Sequence, residues 1–365
     1  GSVRMCIRDS PGTEQVTAEV VNGQDIVLSI DIDMQQKLEE ALALRVEEVQ
    51  GSGGSAMLMD SATGEIYACS SSPTFDITDL TKIEEGATNL SSISSSYEPG
   101  STMKAVTMLA ALEEGIVNPD TEYFCPAALK VDDYTITDSH ERGDETMSAT
   151  TIIADSSNVG VSLIARDMGF EKLYEYIQKY QLTETTGVDY PGEAQGYVSP
   201  RDQWSEVQGY NISFGQGLTT TPIEMIRFYA ALANNGTATQ PHFLLDVPTE
   251  EEDRAYATSQ ITDNQSAIDQ LETMMQATVD RGTGTDAQIE GYRVVGKTGT
   301  AEIASDQGGY QQGVYNISFV GYLPDSSTNL VCFVGAYDVP GERQTVEAFH
   351  DIMTFAIDRY NITQN

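Results

Sequence analysis

Apolar positions along the chain recur with two different periods. Near the start, 26–30 is a short extended run, and Leu38, Ala41, Leu42 and Val46 then recur at the spacing of one helix face. Asp33 is the expected cap of a helix over 34–49, and residues 3–25 read as an irregular lead-in with turns at Ser10-Pro11-Gly12 and Asn22-Gly23. Residues 51–55, rich in Gly and Ser, predict a short loop. The apolar run 56–59 and the run 65–70 flank the turn residues 60–64, a pattern that predicts a β-hairpin.

Residues 71–98 are polar and Ser-rich, and a helix is expected to open at Pro99-Gly100-Ser101 and run to about Glu114. Helical spacing returns at 148–167, 170–180, 221–235 and 266–280, with Thr221-Pro222 as an N-cap and first-turn pair and Gly236 as a stop. Extended runs return at 292–298, 315–323 and 329–337, followed by a C-terminal helix from about Thr345. A hairpin, a helical middle and three late strands predict an α+β fold, with one antiparallel sheet built from both chain ends and helices packed around it. The expected organisation is a lead-in over 1–25 and one domain over 26–365, with a helical subdomain at roughly 101–236 between the sheet-forming ends. No internal repeat is visible.

Composition narrows the function more than the fold. The chain has 365 residues, 40% hydrophobic and 8% aromatic, enough for one large core or two modest ones. No stretch approaches the roughly 18 consecutive apolar residues of a membrane helix. Gly1-Ser2 reads as a cloning remnant, and the absence of an initial Met suggests a trimmed protein. A formal charge of −37 and a pI of about 4.1 argue against nucleic acid and anionic lipid as partners. Cys6, Cys69, Cys125 and Cys332 fit neither a zinc site nor a CxxC pair, and Cys69 and Cys332, in apolar runs, are expected as buried free thiols. His140, His242 and His350 are scattered and expected at the surface, and neither G-x-S-x-G nor H-E-x-x-H occurs. No metal or cofactor is expected.

Three short segments carry chemistry: Ser101-Thr102-Met103-Lys104, Ser156-Ser157-Asn158 and Lys297-Thr298-Gly299. Taken alone, Ser101 reads as an ordinary helix N-cap. That reading puts Lys104 at the third helical position, where Glu or Gln is favoured and the helix dipole opposes a cation. Among the lysines only Lys104 has a serine three residues before it, and only Lys297 is followed by Thr-Gly. Residues three apart share a helix face, so the Lys104 amine can reach the Ser101 hydroxyl. A helix N-terminus and burial both lower a lysine pKa, which makes a neutral amine available to take the serine proton in acyl transfer. The Ser101 N–H is a candidate oxyanion donor, with the Thr300 N–H as the second. Lys297 would offer positive charge, and Thr298 and Thr300 hydroxyls, to a substrate carboxylate, while Gly299 lets substrate approach the backbone. Ser156 is a candidate proton relay to the leaving amine, and Asn158 a candidate holder of substrate amide and of Lys104. Alone, Ser156-Ser157-Asn158 would be no more than a turn.

The set S-x-x-K, S-x-N and K-T-G, in this order, is shared by penicillin-binding proteins and serine β-lactamases. The flanks extend the likeness. Residues 97–104, 297–302, 60–67, 72–76, 156–160, 22–31 and Phe214-Gly215-Gln216-Gly217 with Thr221-Pro222 resemble a class B, monofunctional penicillin-binding protein, over roughly 20–360. The stretch 118–147 matches less clearly. The resemblance implies the penicillin-recognising fold: a five-stranded antiparallel sheet flanked by helices, plus a helical subdomain. It implies a D,D-transpeptidase of peptidoglycan synthesis, with roles in cell division and cell shape. Such an enzyme acylates its serine with the D-Ala-D-Ala end of a stem peptide, releases D-Ala and cross-links the acyl group to an amine. β-Lactams acylate the same serine. It further implies an extracytoplasmic location, an N-terminal membrane helix and pedestal domain absent from this chain, and a glycosyltransferase complex as partner. The alternatives are a serine β-lactamase or D,D-carboxypeptidase, and a non-catalytic β-lactam sensor or scaffold. Residues 159–296 contain no E-x-x-L-N segment of the kind that supplies the deacylating glutamate of class A β-lactamases.

Overall fold

The computed structural model describes residues 22–249, 254–305, 309–341 and 343–364. Most of the expected lead-in, Cys6 included, lies outside them. Five strands, β1 (Gly53–Asp60), β2 (Ile66–Ser72), β3 (Val295–Ala304), β4 (Tyr310–Tyr322) and β5 (Leu330–Pro340), form one antiparallel sheet in the order β3-β4-β5-β1-β2. The chain ends meet where β5 pairs with β1, with Cys332 opposite Leu58 and Phe333 opposite Met57. The period of two along each strand divides the sheet's side chains between two cores. Ala56, Leu58, Cys332, Val334 and Phe319 face one, and Met57, Met59, Val331, Phe333 and Val320 face the other.

Helices α1 (Ile32–Glu48), α2 (Met103–Glu113), α3 (Ala149–Ala154), α4 (Asn158–Met168), α5 (Pro222–Ala233), α6 (Gln265–Arg281) and α7 (Val346–Tyr360) cover the two faces. The first core takes Met34, Leu38 and Leu42 of α1 with Phe349, Ile352 and Met353 of α7. The second takes Val106 and Leu109 of α2, Ile226 and Phe228 of α5, and Leu271 and Met274 of α6. Each such side chain, fully buried, contributes about 1.5–3 kcal/mol relative to exposure. The fold is α+β, with an antiparallel sheet between helical layers, as the periodicity and the resemblance both imply.

Several boundaries differ from the sequence reading. Helix α1 is capped by Asp31, not Asp33: its carboxylate accepts from the N–H groups of Asp33 and Met34 and from the Tyr360 hydroxyl of α7, while Arg359 of α7 pairs with both aspartates. The expected loop at 51–55 is largely strand, because Gly53, Gly54 and Ser55 pair with Tyr337, Ala336 and Gly335. The helix expected over 148–167 breaks into α3 and α4 at Ser156, whose φ of 60° is left-handed. Within 118–147 lie two small antiparallel pairs, Glu122–Cys125 with Glu145–Ser148 and Ala128–Val131 with Tyr134–Thr137. Helix α5 follows its signals, with a capping box between Thr221 and Glu224.

Cys69, Cys125 and Cys332 are buried free thiols, and burial pushes the Cys69 thiol up to about 12, which leaves it inert. His242 is buried rather than at the surface: its ring stacks on Tyr256 and its Nδ1 lies 3.0 Å from the Gln240 carbonyl, so packing overrides the default for a lone histidine. Among the described residues no helix is long and apolar enough to cross a membrane, and no cluster of His, Cys, Asp and Glu could hold a metal.

Candidate active site

The three segments converge where the start of α2, the break between α3 and α4, and the edge strand β3 meet. Ser101 lies in a 3-10 turn, Gly100–Thr102, that leads into α2. The expected N-cap role is therefore corrected. The cap position falls on Thr102, no side chain caps the helix, and Lys104 is its second residue rather than its third. The turn is fixed from behind instead. Thr102 donates its hydroxyl to the Pro99 carbonyl at 2.8 Å, and Tyr229 of α5 donates to the Thr102 carbonyl at 2.9 Å. Ser101, half-buried, is left with its hydroxyl uncommitted to capping.

Two close approaches set the turn against β3 and the loop 214–217. Gly100 has a φ of 54°, its N–H donates to the Gly215 carbonyl at 3.0 Å, and a Cβ on it would collide with the Thr300 carbonyl. A Cβ at Gly299 would collide with Ser318 and lie 3.0 Å from Thr102. Gly299 thus admits protein neighbours, not only substrate as the sequence suggested. Because the Thr300 carbonyl faces Gly100 rather than the β4 ladder, the Thr300 N–H shares that side and borders the Ser101 turn.

Lys104 does not bond Ser101. Its amine donates to Ser156, to the carbonyl at 2.5 Å and the hydroxyl at 3.0 Å. The Lys297 amine donates to the same hydroxyl at 2.9 Å. Both lysines are fully buried. Burial brings Lys104 down from the ordinary 10.5 to about 7, against an opposing pull from Asp138. Burial, and then repulsion from Lys104, push Lys297 well below its usual range. Two ammonium groups on one hydroxyl repel each other, so each amine disfavours the charged form of the other. A bound carboxylate would favour the charged form of Lys297.

The remaining predicted residues are placed less simply. Lys297, Thr298 and Gly299 lie inside β3 rather than at its end, because β4 pairs with the strand as far as Ala304. Thr298 is buried, with its hydroxyl 2.6 Å from that of Thr283 and 3.3 Å from the Lys297 amine. Thr300, half-buried, remains at the cleft edge. Asn158 begins α4, and its amide nitrogen donates to the Thr137 carbonyl at 3.0 Å instead of holding Lys104. Sequence reasoning missed Asp138, Thr283 and Tyr229, each of which braces one of the motifs. Asp138 carried no signal beyond its place in an acidic stretch.

A base of this kind leaves a kinetic signature. The Lys104 amine can accept a proton only when neutral, so the rate of acylation by penicillin is expected to fall about tenfold per pH unit below roughly pH 7 and to level off above it. Timed labelling with a fluorescent penicillin measures this. A flat profile between about pH 5.5 and 8 would remove Lys104 as the base.

Residues 54–354 match the family described as the penicillin binding protein transpeptidase domain. The chain is 32% identical to the penicillin-binding protein PbpB of Mycolicibacterium smegmatis, over 96% of this chain and 57% of that protein. It is 30% identical to the stage V sporulation protein D of Bacillus subtilis, over 88% of this chain and 51% of that one. The chain spans about half the length of the curated relatives it matches. Among solved structures it superimposes on a putative peptidoglycan glycosyltransferase from Atopobium parvulum with a TM-score of 0.86 at 35% identity, covering 95% of this chain and 82% of that one. Penicillin binding protein 3 of Mycobacterium tuberculosis, complexed with aztreonam, gives a TM-score of 0.87 at 29% identity, with the same shares covered.

Proposed function

Since the chain belongs to the penicillin-binding protein transpeptidase family, we propose that it catalyses D,D-transpeptidation of peptidoglycan through an acyl-enzyme on Ser101. The observation that carries this reading is the convergence of two buried lysines on the Ser156 hydroxyl beside a serine free of structural duty. In the first step neutral Lys104 takes the Ser101 proton and the serine oxygen attacks the carbonyl of the penultimate D-Ala. The backbone N–H groups of Ser101 and Thr300 hold the developing oxyanion. Ser156, bonded to both amines, passes a proton to the departing D-Ala nitrogen, and the bond to that residue breaks. An acceptor amine then attacks the ester, its proton returns along the same route, and Ser101 is released. A β-lactam enters the first step alone, its ring amide replacing the peptide. The carboxylate that both donors carry is matched to Lys297, whose charged form the anion favours.

The reading extends beyond the chain itself. The reaction serves peptidoglycan synthesis in cell division, outside the cytoplasm where that polymer lies. Anchoring by a helix N-terminal to this chain and recruitment by a glycosyltransferase complex complete the proposal.

A transpeptidase must keep water from the acyl-enzyme until the amine arrives. Sequence supplies no deacylating glutamate of the class A kind. In the acidic stretch 118–147, Asp138 packs behind the second motif, and its carboxylate already accepts from Val159, Ser157 and Arg142. The penicillin adduct is therefore expected to persist for many minutes after free drug is removed. Intact-protein mass spectrometry reads it directly. Rapid return to the unmodified mass, with drug consumed catalytically, would make the protein a β-lactamase.

A further inference from the structure

The segment that matched the family least clearly reaches into the site. Thr137 closes the small hairpin Ala128–Val131 with Tyr134–Thr137, and Asp138 follows it. Asp138 Oδ1 accepts from the Val159 N–H at 2.9 Å. Its Oδ2 accepts from the Ser157 hydroxyl at 2.8 Å and from Arg142 Nε at 2.6 Å. Ser157 in turn accepts from the Gly160 N–H at 2.9 Å, so its one hydrogen is free to go to Asp138 while its oxygen caps α4. Asn158 adds its bond to the Thr137 carbonyl. Residues 137–138 thus grip three consecutive residues, 157 to 159, directly after Ser156.

The grip matters because Ser156 is held in a left-handed conformation that a serine adopts only when its surroundings enforce it. That conformation presents both its carbonyl and its hydroxyl to Lys104, and the hydroxyl to Lys297. The Asp138 side chain is only 9% exposed, so its charge acts through a poorly screening medium.

We propose that Asp138 is a positioning residue of the acyl-transfer site, which fixes Ser156 through its bonds to Ser157 and Val159 and lends a fixed negative charge to the ammonium formed on Lys104. The inference rests on the acyl-enzyme reading above. As the Ser101 oxygen bonds to the substrate carbonyl, its proton moves to the Lys104 nitrogen, and a dry site gains a cation. The charged groups around that nitrogen are Lys297 on β3, which opposes it, and Asp138, which favours it, with Arg142 and Glu145 behind Asp138. Burial pulls the Asp138 carboxyl upward, but bonds from the Val159 N–H, Arg142 and Ser157 more than offset this. It stays ionised wherever Lys104 titrates.

Asp138→Asn, Asp138→Glu and Ser157→Ala separate charge from shape. Asp138→Asn removes the charge, so Lys104 gives up its proton at lower pH. The acid limb of the acylation profile should move to lower pH, and the plateau rate should drop about 10- to 100-fold, as expected when a site is mispositioned and its charge uncompensated. Asp138→Glu should restore the limb in part. Ser157→Ala, which keeps the charge, should lower the plateau without moving the limb. If Asp138→Asn does not fold, Arg142→Gln decides: unmasking Asp138 should move the limb the other way, by a smaller amount. Loss of rate with an unmoved limb in Asp138→Asn, or an unchanged profile in Arg142→Gln, overturns the proposal. Wild-type protein that is not acylated at all would instead refute the acyl-enzyme reading on which it stands.

Discussion

Ser101→Ala is expected to abolish covalent labelling by penicillin, by ~10⁴-fold or more, while the thermal melt changes little. The first half follows from covalency: without the hydroxyl there is no oxygen to carry the acyl group, and Lys104 and Ser156 have no proton to move. The second half follows from the turn. Ser101 caps no helix, and the turn is held by Thr102, Pro99, Gly100 and Tyr229. A half-buried side chain without such duty changes stability by about 0.5 kcal/mol or less when trimmed. Labelling measured by gel fluorescence, with the melt followed by calorimetry, checks both. A folded Ser101→Ala protein that still takes up one penicillin would transfer the nucleophile to another residue.

The chain shows where sequence is legible and where it is not. Strands β1, β2, β4 and β5 announce themselves, because local runs of apolar residues between turn residues are enough to define a strand. Helix α5 does too, since Thr221, Pro222 and Glu224 form its start within four residues. What fails is whatever depends on a partner far along the chain. Gly53 and Gly54 read as a loop until β5 pairs with them. Asp31 and Asp33 are equivalent caps until Tyr360 arrives from the other end and bonds Asp31. The site divides in the same way. Lys104 stands out because a cation at a helix start breaks local expectation, Ser101 because it lies three residues before that lysine, and Lys297 because Thr-Gly follows it. Their mutual geometry was not legible. Spacing alone aims Lys104 at Ser101, whereas the structure turns it to Ser156, 52 residues on, because an unusual backbone conformation there offers two acceptors at once. Asp138 lay below any sequence signal, since one aspartate in an acidic run is ordinarily a solvated charge.

Lys104→Arg is expected to lower acylation by ~10³-fold although it keeps a positive charge. The argument starts from burial. Lys104 is fully buried, with its amine on two oxygens of Ser156 and its pKa brought to about 7 from 10.5. Near neutrality a large share of it is a free base. A guanidinium never is, so the Ser101 proton has no acceptor. Arginine is also larger and must displace neighbours in a full core, so Lys104→Met, of similar length and without charge, is the necessary companion. It should be equally inactive. Its stability should also carry a sign. In the unfolded chain the lysine keeps its proton up to about 10.5, and in the folded protein only to about 7. Stability from this group therefore rises as pH increases from 7 to 10.5, and the penalty is complete below 7. Lys104→Met removes a penalty that is full at pH 6 and nearly gone at about pH 10, offset in part by the partner lost to the Ser156 carbonyl. The melting temperature of Lys104→Met relative to wild type should accordingly be more favourable at pH 6 than at about pH 10. A difference that is independent of pH would mean that Lys104 folds with its ordinary proton affinity. An arginine variant that acylates at the wild-type rate would mean that charge, not proton transfer, is what Ser101 requires.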